Sequence, residues 1–257
     1  LWPENVEIVT GIHSPLVLKP IGKMVDYIYA HCDHIFATSP SFVKEIQKRC
    51  RDKNKVSYWP QYAEEFYCPV EKKYTPEIPD DEMFKIIFTG NIGQAQGLEI
   101  LPKAAQKLEN VKFVIVGDGR NKENFLAEIN RLDVQDKFRM IDRQPQEKIP
   151  ELLACCNAAF VSFMDNELFT KTIPAKLQSY MACGMPIIAS ASGETKRVVE
   201  EAECGLCSEI GDMDGLCQII EKMKEKDLQE MAEKSRGYYL DNFEKKMLMD
   251  EMEEYLG

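Results

Sequence analysis

The sequence predicts an α/β fold with a doubly wound parallel sheet, and three features carry that prediction. From Phe84 onward, short apolar runs alternate with amphipathic segments of helical period. The runs are apolar nearly throughout, as expected of strands covered by helices on both faces. Neighbouring parallel strands need long crossovers, and the intervening helical segments supply them.

Taken in order, residues 1–75 are the less regular part. "LVLKPIGKMVDYIYAHC" (16–32) reads as a helix, "HIFATSP" (34–40) as a strand, "SFVKEIQKRC" (41–50) as a helix capped by Ser41, and "KVSYWPQ" (55–61) as a strand. Two strands and two helices are too few for a core of their own. The opening "LWPENVEIVTG" has no polar start or cap. These points predict the closing part of a domain, in a chain that is the later portion of a longer protein. The proline-bearing, charged stretch 68–82 reads as a linker, so 1–75 and 76–257 are expected to be separate units.

In the second unit, residues 84–90, 111–119, 137–142, 158–163 and 185–190 read as buried strands, with 205–210 a weaker sixth. Helices are predicted at Leu98–Leu108, Lys122–Arg131, Gln146–Cys156, Pro174–Ala182, Glu194–Ala202, Met213–Lys224 and Leu228–Asn242, each with apolar residues three and four apart. A last amphipathic run, "EKKMLMDEMEEYLG", is expected to pack back on the N-terminal part.

Composition excludes several function classes. The 257 residues carry a net charge of −11, which disfavours nucleic acid as a partner. No apolar run approaches a spanning helix and no signal peptide is visible, so the reading is a cytoplasmic protein, with peripheral contact at the inner face of the cell membrane left open. Nine cysteines, several within apolar periodic segments, fit reduced buried thiols. The lone Cys204–Cys207 pair lacks the second pair a zinc site needs, and no metal is expected.

Ligands in such sheets bind where strands end and strand order switches. Three loops qualify: "TGNIGQAQG", with Gly90, Gly93 and Gly97; "VGDGR", with Gly117 and Gly119 keeping the backbone low; and the stretch 166–186, "NELFTKTIPAKLQSYMACGMP". In the third, Pro174 suits the first turn of a helix and Thr172 is placed to cap it. Free N–H groups there favour an anion, with Lys171 and Lys176 adding positive charge. Solvated surface lysines are the competing explanation for both.

The run from "GNIG" through "VGDG" to "TIPAKLQSYMACGMPIIAS" resembles the donor-binding domain of glycosyltransferase family 4, which has the GT-B fold. "YMACGMPIIAS" stands where that family has A-C-G-x-P-V-I-A-S, and "GETKRVVEEAECGL" is similar to the segment that follows. "LWPENVEIVTG" and "HCDHIFATSPSF" resemble late acceptor-domain sequence of capsule, O-antigen and colanic-acid transferases. The resemblance implies a metal-independent, generally retaining transferase. It would move a hexose or N-acetylhexosamine-type sugar from a UDP- or GDP-linked donor to a polysaccharide or polyprenyl-linked acceptor. No cofactor beyond that substrate is implied.

Four positions depart from the family pattern. Arginine and lysine of the family's first loop are replaced by Asn91 and Gln96, and its two glutamates before A-C-G by Lys171 and Ser179. The amides of Asn91, Gln94, Gln96 and Gln178 remain as hydrogen-bonding groups, and the two lysines could restore the lost charge. Donor contacts are therefore expected from Gly90, Asn91, Gly93, Gln94, Gln96, Gly117, Gly119, Lys171, Thr172, Ile173, Pro174, Lys176 and Leu177. Arg143 and Gln144 are expected near the base. Catalytic residues are not identifiable, and the oligomeric state is left open. His13, His31 and His34 read as structural, and Glu4 as a bare carboxylate of low promise. The rival readings are a catalytically idle binding subunit and a nucleotide-sugar epimerase, whose acidic and histidine groups find no place.

Overall fold

The computed structural model describes residues 6, 11, 13–73 and 75–256. Glu4 and most of "LWPENVEIVTG" lie outside the described residues. The chain opens with α1 (Pro15–His31), β1 (Ile35–Ala37), α2 (Pro40–Gln47) and β2 (Val56–Tyr58). It continues with β3 (Phe84–Asn91), α3 (Ile100–Ala105), β4 (Val111–Asp118), α4 (Lys122–Arg131), β5 (Phe138–Ile141) and α5 (Ile149–Leu153). Next come β6 (Ala158–Ser162), α6 (Glu167–Thr170), α7 (Ala175–Ala182), β7 (Ile187–Ser190), α8 (Glu194–Glu201) and β8 (Gly205–Ser208). Three helices close the chain: α9 (Met213–Lys224), α10 (Leu228–Asn242) and α11 (Lys245–Leu256).

The main sheet has the order β5-β4-β3-β6-β7-β8 and every pairing is parallel. Side chains alternate across it. Ile87, Val114, Val116, Ala159, Val161 and Ile187 pack with Leu153, Leu177, Met181, Val198 and Tyr239 in one core. Ile86, Phe88, Phe113, Ile115, Phe160 and Ile188 pack with Leu101, Phe125, Ile129, Leu216 and Ile220 in the other. All nine cysteines are unpaired, and Cys204 is fully buried.

Strand order reverses between β3 and β6. Strands β3 and β4 stay in register from Phe84↔Val111 to Asn91↔Asp118, whereas β3 and β6 pair only at Ile86↔Ala158 and Ile87↔Ala159. Beyond Ile87 the β6 side of β3 has no strand partner. The N–H of Thr89 donates instead to the hydroxyl of Tyr180, a fully buried side chain of α7, at 2.7 Å. A crevice thus opens at the end of β3.

The N-terminal elements form a small parallel pair, β1–β2, over Ala37, Ile46 and Val56. One expected detail changes: α2 begins at Pro40, and Ser39 rather than Ser41 caps it, accepting from the N–H of Phe42 at 3.1 Å. Proline at the first helical position puts the cap on the residue just before it, two residues ahead of Ser41. The C-terminal helices lie against this part. Trp59 Nε1 donates to the carbonyl of Leu248 at 2.9 Å, and the Tyr239 hydroxyl donates to that of Ala63 at 3.3 Å. His34 lies beside Phe36 and Tyr255, with ring centroids 4.7 and 4.6 Å away.

Candidate functional site

A cleft of about 1050 Å³ lies at the carboxyl ends of β3, β4 and β5. Thr89, Gly90 and Asn91 come from the end of β3; Gly117, Asp118 and Gly119 from β4; Arg143, Gln144, Pro145 and Gln146 from the turn after β5. Ala175, Lys176 and Ser179 of α7 form the opposite wall, and Tyr62, Ala63, Glu64 and Tyr67 the third.

The two glycine turns lie directly on each other. Ile92 N–H donates to the carbonyl of Asp118 at 2.8 Å, and Asn121 N–H to that of Ile92 at 3.0 Å. A Cβ on Gly117, at φ +147°, would stand 1.9 Å from the Gly90 oxygen, and one on Gly119 would stand 2.4 Å from the Ile92 oxygen. These glycines are therefore required first by contact between loops; a low backbone beside a ligand is the consequence.

Lys176, the second residue of α7, reaches across to the first glycine turn. Its Nζ lies 3.8 Å from the centroid of the Phe88 ring, and 3.7 Å from where a Cβ on Gly90 would be. It donates a hydrogen bond to Gln96 Oε1, a neutral acceptor. No ion pair to Lys176 occurs among the described residues. Burial without a counter-charge pushes its ammonium down to about 7. The start of α7 is extended at Pro174 (ψ 141°) and has no side-chain cap. Ala175 and Lys176 of its first turn line the crevice, and a helix start with a lysine beside it suits an anion.

The other predicted residues divide. Gly90, Asn91, Gly117, Gly119, Arg143, Gln144 and Lys176 line the cleft, and Gln96 touches it through Lys176. Lys171 does not. Its Nζ is held by Glu167 at 2.8 Å and Glu45 at 3.2 Å, and the hydrogen bond to Glu167, against the desolvation it suffers, raises its pKa. It links α6 to α2 instead of supplying the cleft with charge. Thr172 does not cap α7, because its hydroxyl donates back to the carbonyl of Leu168 at 3.0 Å. Ile173, two residues before α7, and Leu177 on it are core side chains, 3% and 0% exposed, packed in the same core. Gln178 is also fully buried and outside the cleft. Gly93, Gln94 and Pro174 stay outside its lining.

Sequence reasoning missed Tyr62, Glu64 and Tyr67. Only the aromatic density of "WPQYAEEFY" hinted at them. Their position is set from far along the chain by the Trp59–Leu248 and Tyr239–Ala63 bonds and by a 3.0 Å ion pair between Lys245 and Glu64. Among the described residues no cluster of His, Cys, Asp and Glu could hold a metal ion, and no helix is long and apolar enough to cross a membrane.

A six-stranded parallel sheet whose glycine-lined cleft sits at the reversal of strand order defines a Rossmann-like domain, of the kind found in GT-B proteins. The chain belongs to the group 1 glycosyl transferases, whose family model matches residues 71–238. The probable glycosyltransferase WbjE of Pseudomonas aeruginosa is 23% identical over 256 residues, covering 95% of this chain and 62% of that protein. N-acetyl-alpha-D-glucosaminyl L-malate synthase of Bacillus anthracis is 22% identical, covering 97% and 67%. The chain thus spans about two thirds of the length of these relatives. Among solved structures, sucrose-phosphate synthase from Thermosynechococcus elongatus superposes with a TM-score of 0.78 at 17% identity, covering 96% of this chain and 63% of its own. Anabaena HepE in complex with UDP-glucose gives 0.75 at 16% identity, covering 95% and 70%. At such identities these structures establish the shared fold.

Proposed function

We propose that this chain carries the donor site of a glycosyltransferase. The enzyme would move a hexose or N-acetylhexosamine-type sugar from a UDP- or GDP-linked donor to a surface polysaccharide or polyprenyl-linked glycan, with retention. The observation that carries the reading is Lys176 Nζ beside Gly90 and Gln96, at the uncapped start of α7 and opposite the paired glycine turns.

Charge that grows on a departing diphosphate needs positive groups already in place. The backbone N–H groups at the start of α7 and the Lys176 ammonium meet that need without a metal ion. Arg143 and Gln144, on the turn after β5, line the same cleft and would hold the base. The HepE structure holding UDP-glucose, and the lipopolysaccharide transferase WaaG among the structural relatives, fit the same reading by fold. The protein would act in the cytoplasm, at the inner face of the membrane that bears the acceptor.

Calorimetry with UDP and GDP tests the site. One of them should bind, and Lys176→Met should weaken it by roughly 10- to 100-fold, the range of a hydrogen bond to a charged group. Absence of binding to both nucleotides would remove the donor site. Binding without turnover, when donor and polyprenyl-linked acceptor are supplied together, would favour an idle binding subunit.

A further inference from the structure

Two buried hydroxyls, on different parts of the chain, hold the turn that delivers α7 to the cleft. Ser39, just before α2, donates from Oγ to the carbonyl of Lys171 at 2.6 Å. Thr195, in α8, donates from Oγ1 to the carbonyl of the next residue, Thr172, at 2.9 Å. Both side chains are 0% exposed. The same turn is packed from below by Gly193, where a Cβ would stand 1.9 Å from the Thr170 oxygen.

The anchors are themselves tied together. Glu194 Oε1 accepts from both the N–H and the hydroxyl of Ser41, at 2.8 and 2.6 Å, while Arg197 pairs with its other oxygen at 2.8 Å. Burial alone would raise the Glu194 pKa, but these hydrogen bonds outweigh it and hold the carboxyl below its usual range. The start of α2 and the start of α8 are thus one ionised, hydrogen-bonded block, and the 170–174 turn is pinned to it at two consecutive carbonyls.

We propose that Ser39 and Thr195 are positioning residues for donor binding: they fix the Lys171 and Thr172 carbonyls, and through them the angle at which α7 presents Lys176 to the glycine turns. The geometry gives the reason. Only Ile173 and Pro174 separate the anchored carbonyls from the first helical residue, so a shift of the turn passes directly into α7. Lys176 in turn sits in a narrow setting, between the Phe88 ring, Gly90 and Gln96. Ser39 lies outside the segment 71–238 that the family model covers. Ser39, which does not line the donor cleft, would therefore still shape it from the N-terminal part of the chain. This inference rests on the proposed donor site.

The test compares Thr195→Val and Ser39→Ala with the conservative Thr195→Ser and Ser39→Thr in the full 257-residue chain. Two readouts are used: the Kd of whichever of UDP or GDP the parent binds, and the pKa of Lys176 followed by its ¹³Cε resonance without ligand. Loss of one hydroxyl should weaken binding roughly 5- to 10-fold, the scale of one hydrogen bond, and the conservative variants should restore it. In the same variants the Lys176 pKa should move from about 7 toward its ordinary 10.5, because the ammonium leaves its desolvated setting. A folded Thr195→Val protein with unchanged Lys176 titration would overturn the positioning role, even if nucleotide binds. Altered Lys176 titration in the variants, with a parent that binds neither nucleotide, would support the anchors while sinking the donor site.

Discussion

Lys176 Nζ stands over the face of Phe88, 3.8 Å from the ring centroid, with Gln96 as its hydrogen-bond acceptor and, among the described residues, no carboxylate paired with it. A cation in that setting is held by an aromatic quadrupole and one amide, far less than water offers. An incoming diphosphate would supply the missing negative charge.

That arrangement makes nucleotide binding proton-coupled. With a pKa of about 7, free Lys176 loses its charge as pH rises through neutrality, whereas in the complex the phosphates hold the proton on. Affinity should therefore be flat at acid pH and fall by up to about tenfold per pH unit above neutrality, until the pKa of the complex is reached. Calorimetry at about pH 8.5, in buffers of different ionisation enthalpy, should show uptake approaching one proton. Lys176→Arg, permanently charged, should flatten the profile.

The same lysine affects stability with a defined sign. Its pKa is near 7 in the folded protein and 10.5 in an ordinary environment, so between these values the unfolded chain binds more protons and stability rises with pH. The penalty of the buried ammonium is full below pH 7 and fades toward 10.5. Lys176→Met should raise Tm most at acid pH, with the gain shrinking as pH climbs; scanning calorimetry across that range checks it.

Gly117→Ala should damage the cleft from within. Gly117 combines a φ of +147° with a Cβ position 1.9 Å from the Gly90 oxygen. The loops must part or the strand end must shift, at a cost of at least about 2 kcal/mol. Urea denaturation should show the loss, and nucleotide affinity should fall with it.

Tyr180→Phe should cost about 1 kcal/mol, because the half-buried Thr89 N–H loses the acceptor that the fully buried Tyr180 side chain provides. Thr89 lines the cleft, so a weaker nucleotide complex should accompany the lower urea midpoint.

Lys171→Ala should leave nucleotide affinity within about twofold of the parent, since the ammonium is engaged by Glu45 and Glu167 outside the cleft. The half-exposed network should contribute no more than about 1 kcal/mol to stability. A large loss of affinity would place Lys171 at the ligand after all.

Much of the fold was legible in the chain. The apolar runs predicted from Phe84, Val111, Ala158 and Met185 became strands within a residue or two, and Met213–Lys224 and Leu228–Asn242 are helices at the expected bounds. Less was legible where short-range signals compete. Gln146–Cys156 begins as a 3-10 turn and becomes α-helix only over Ile149–Leu153, and α6 fell inside a stretch read as loop. The site followed the same division: the glycine turns and Lys176 were visible, while Tyr62, Glu64 and Tyr67 were not.

What the sequence determined by itself is whatever local sterics and periodicity control: strand and helix identity, the glycines, and a helix start behind Pro174. The tertiary structure decided which of two lysines five residues apart faces the cleft. Lys171 and Lys176 are alike in sequence terms, but one falls in the turn that Ser39 and Thr195 pin beside Glu45, and the other on the first turn of α7, pointing at Gly90. Charge placement of that kind depends on partners more than a hundred residues distant, such as Ser39 and Glu45, and no local pattern encodes them.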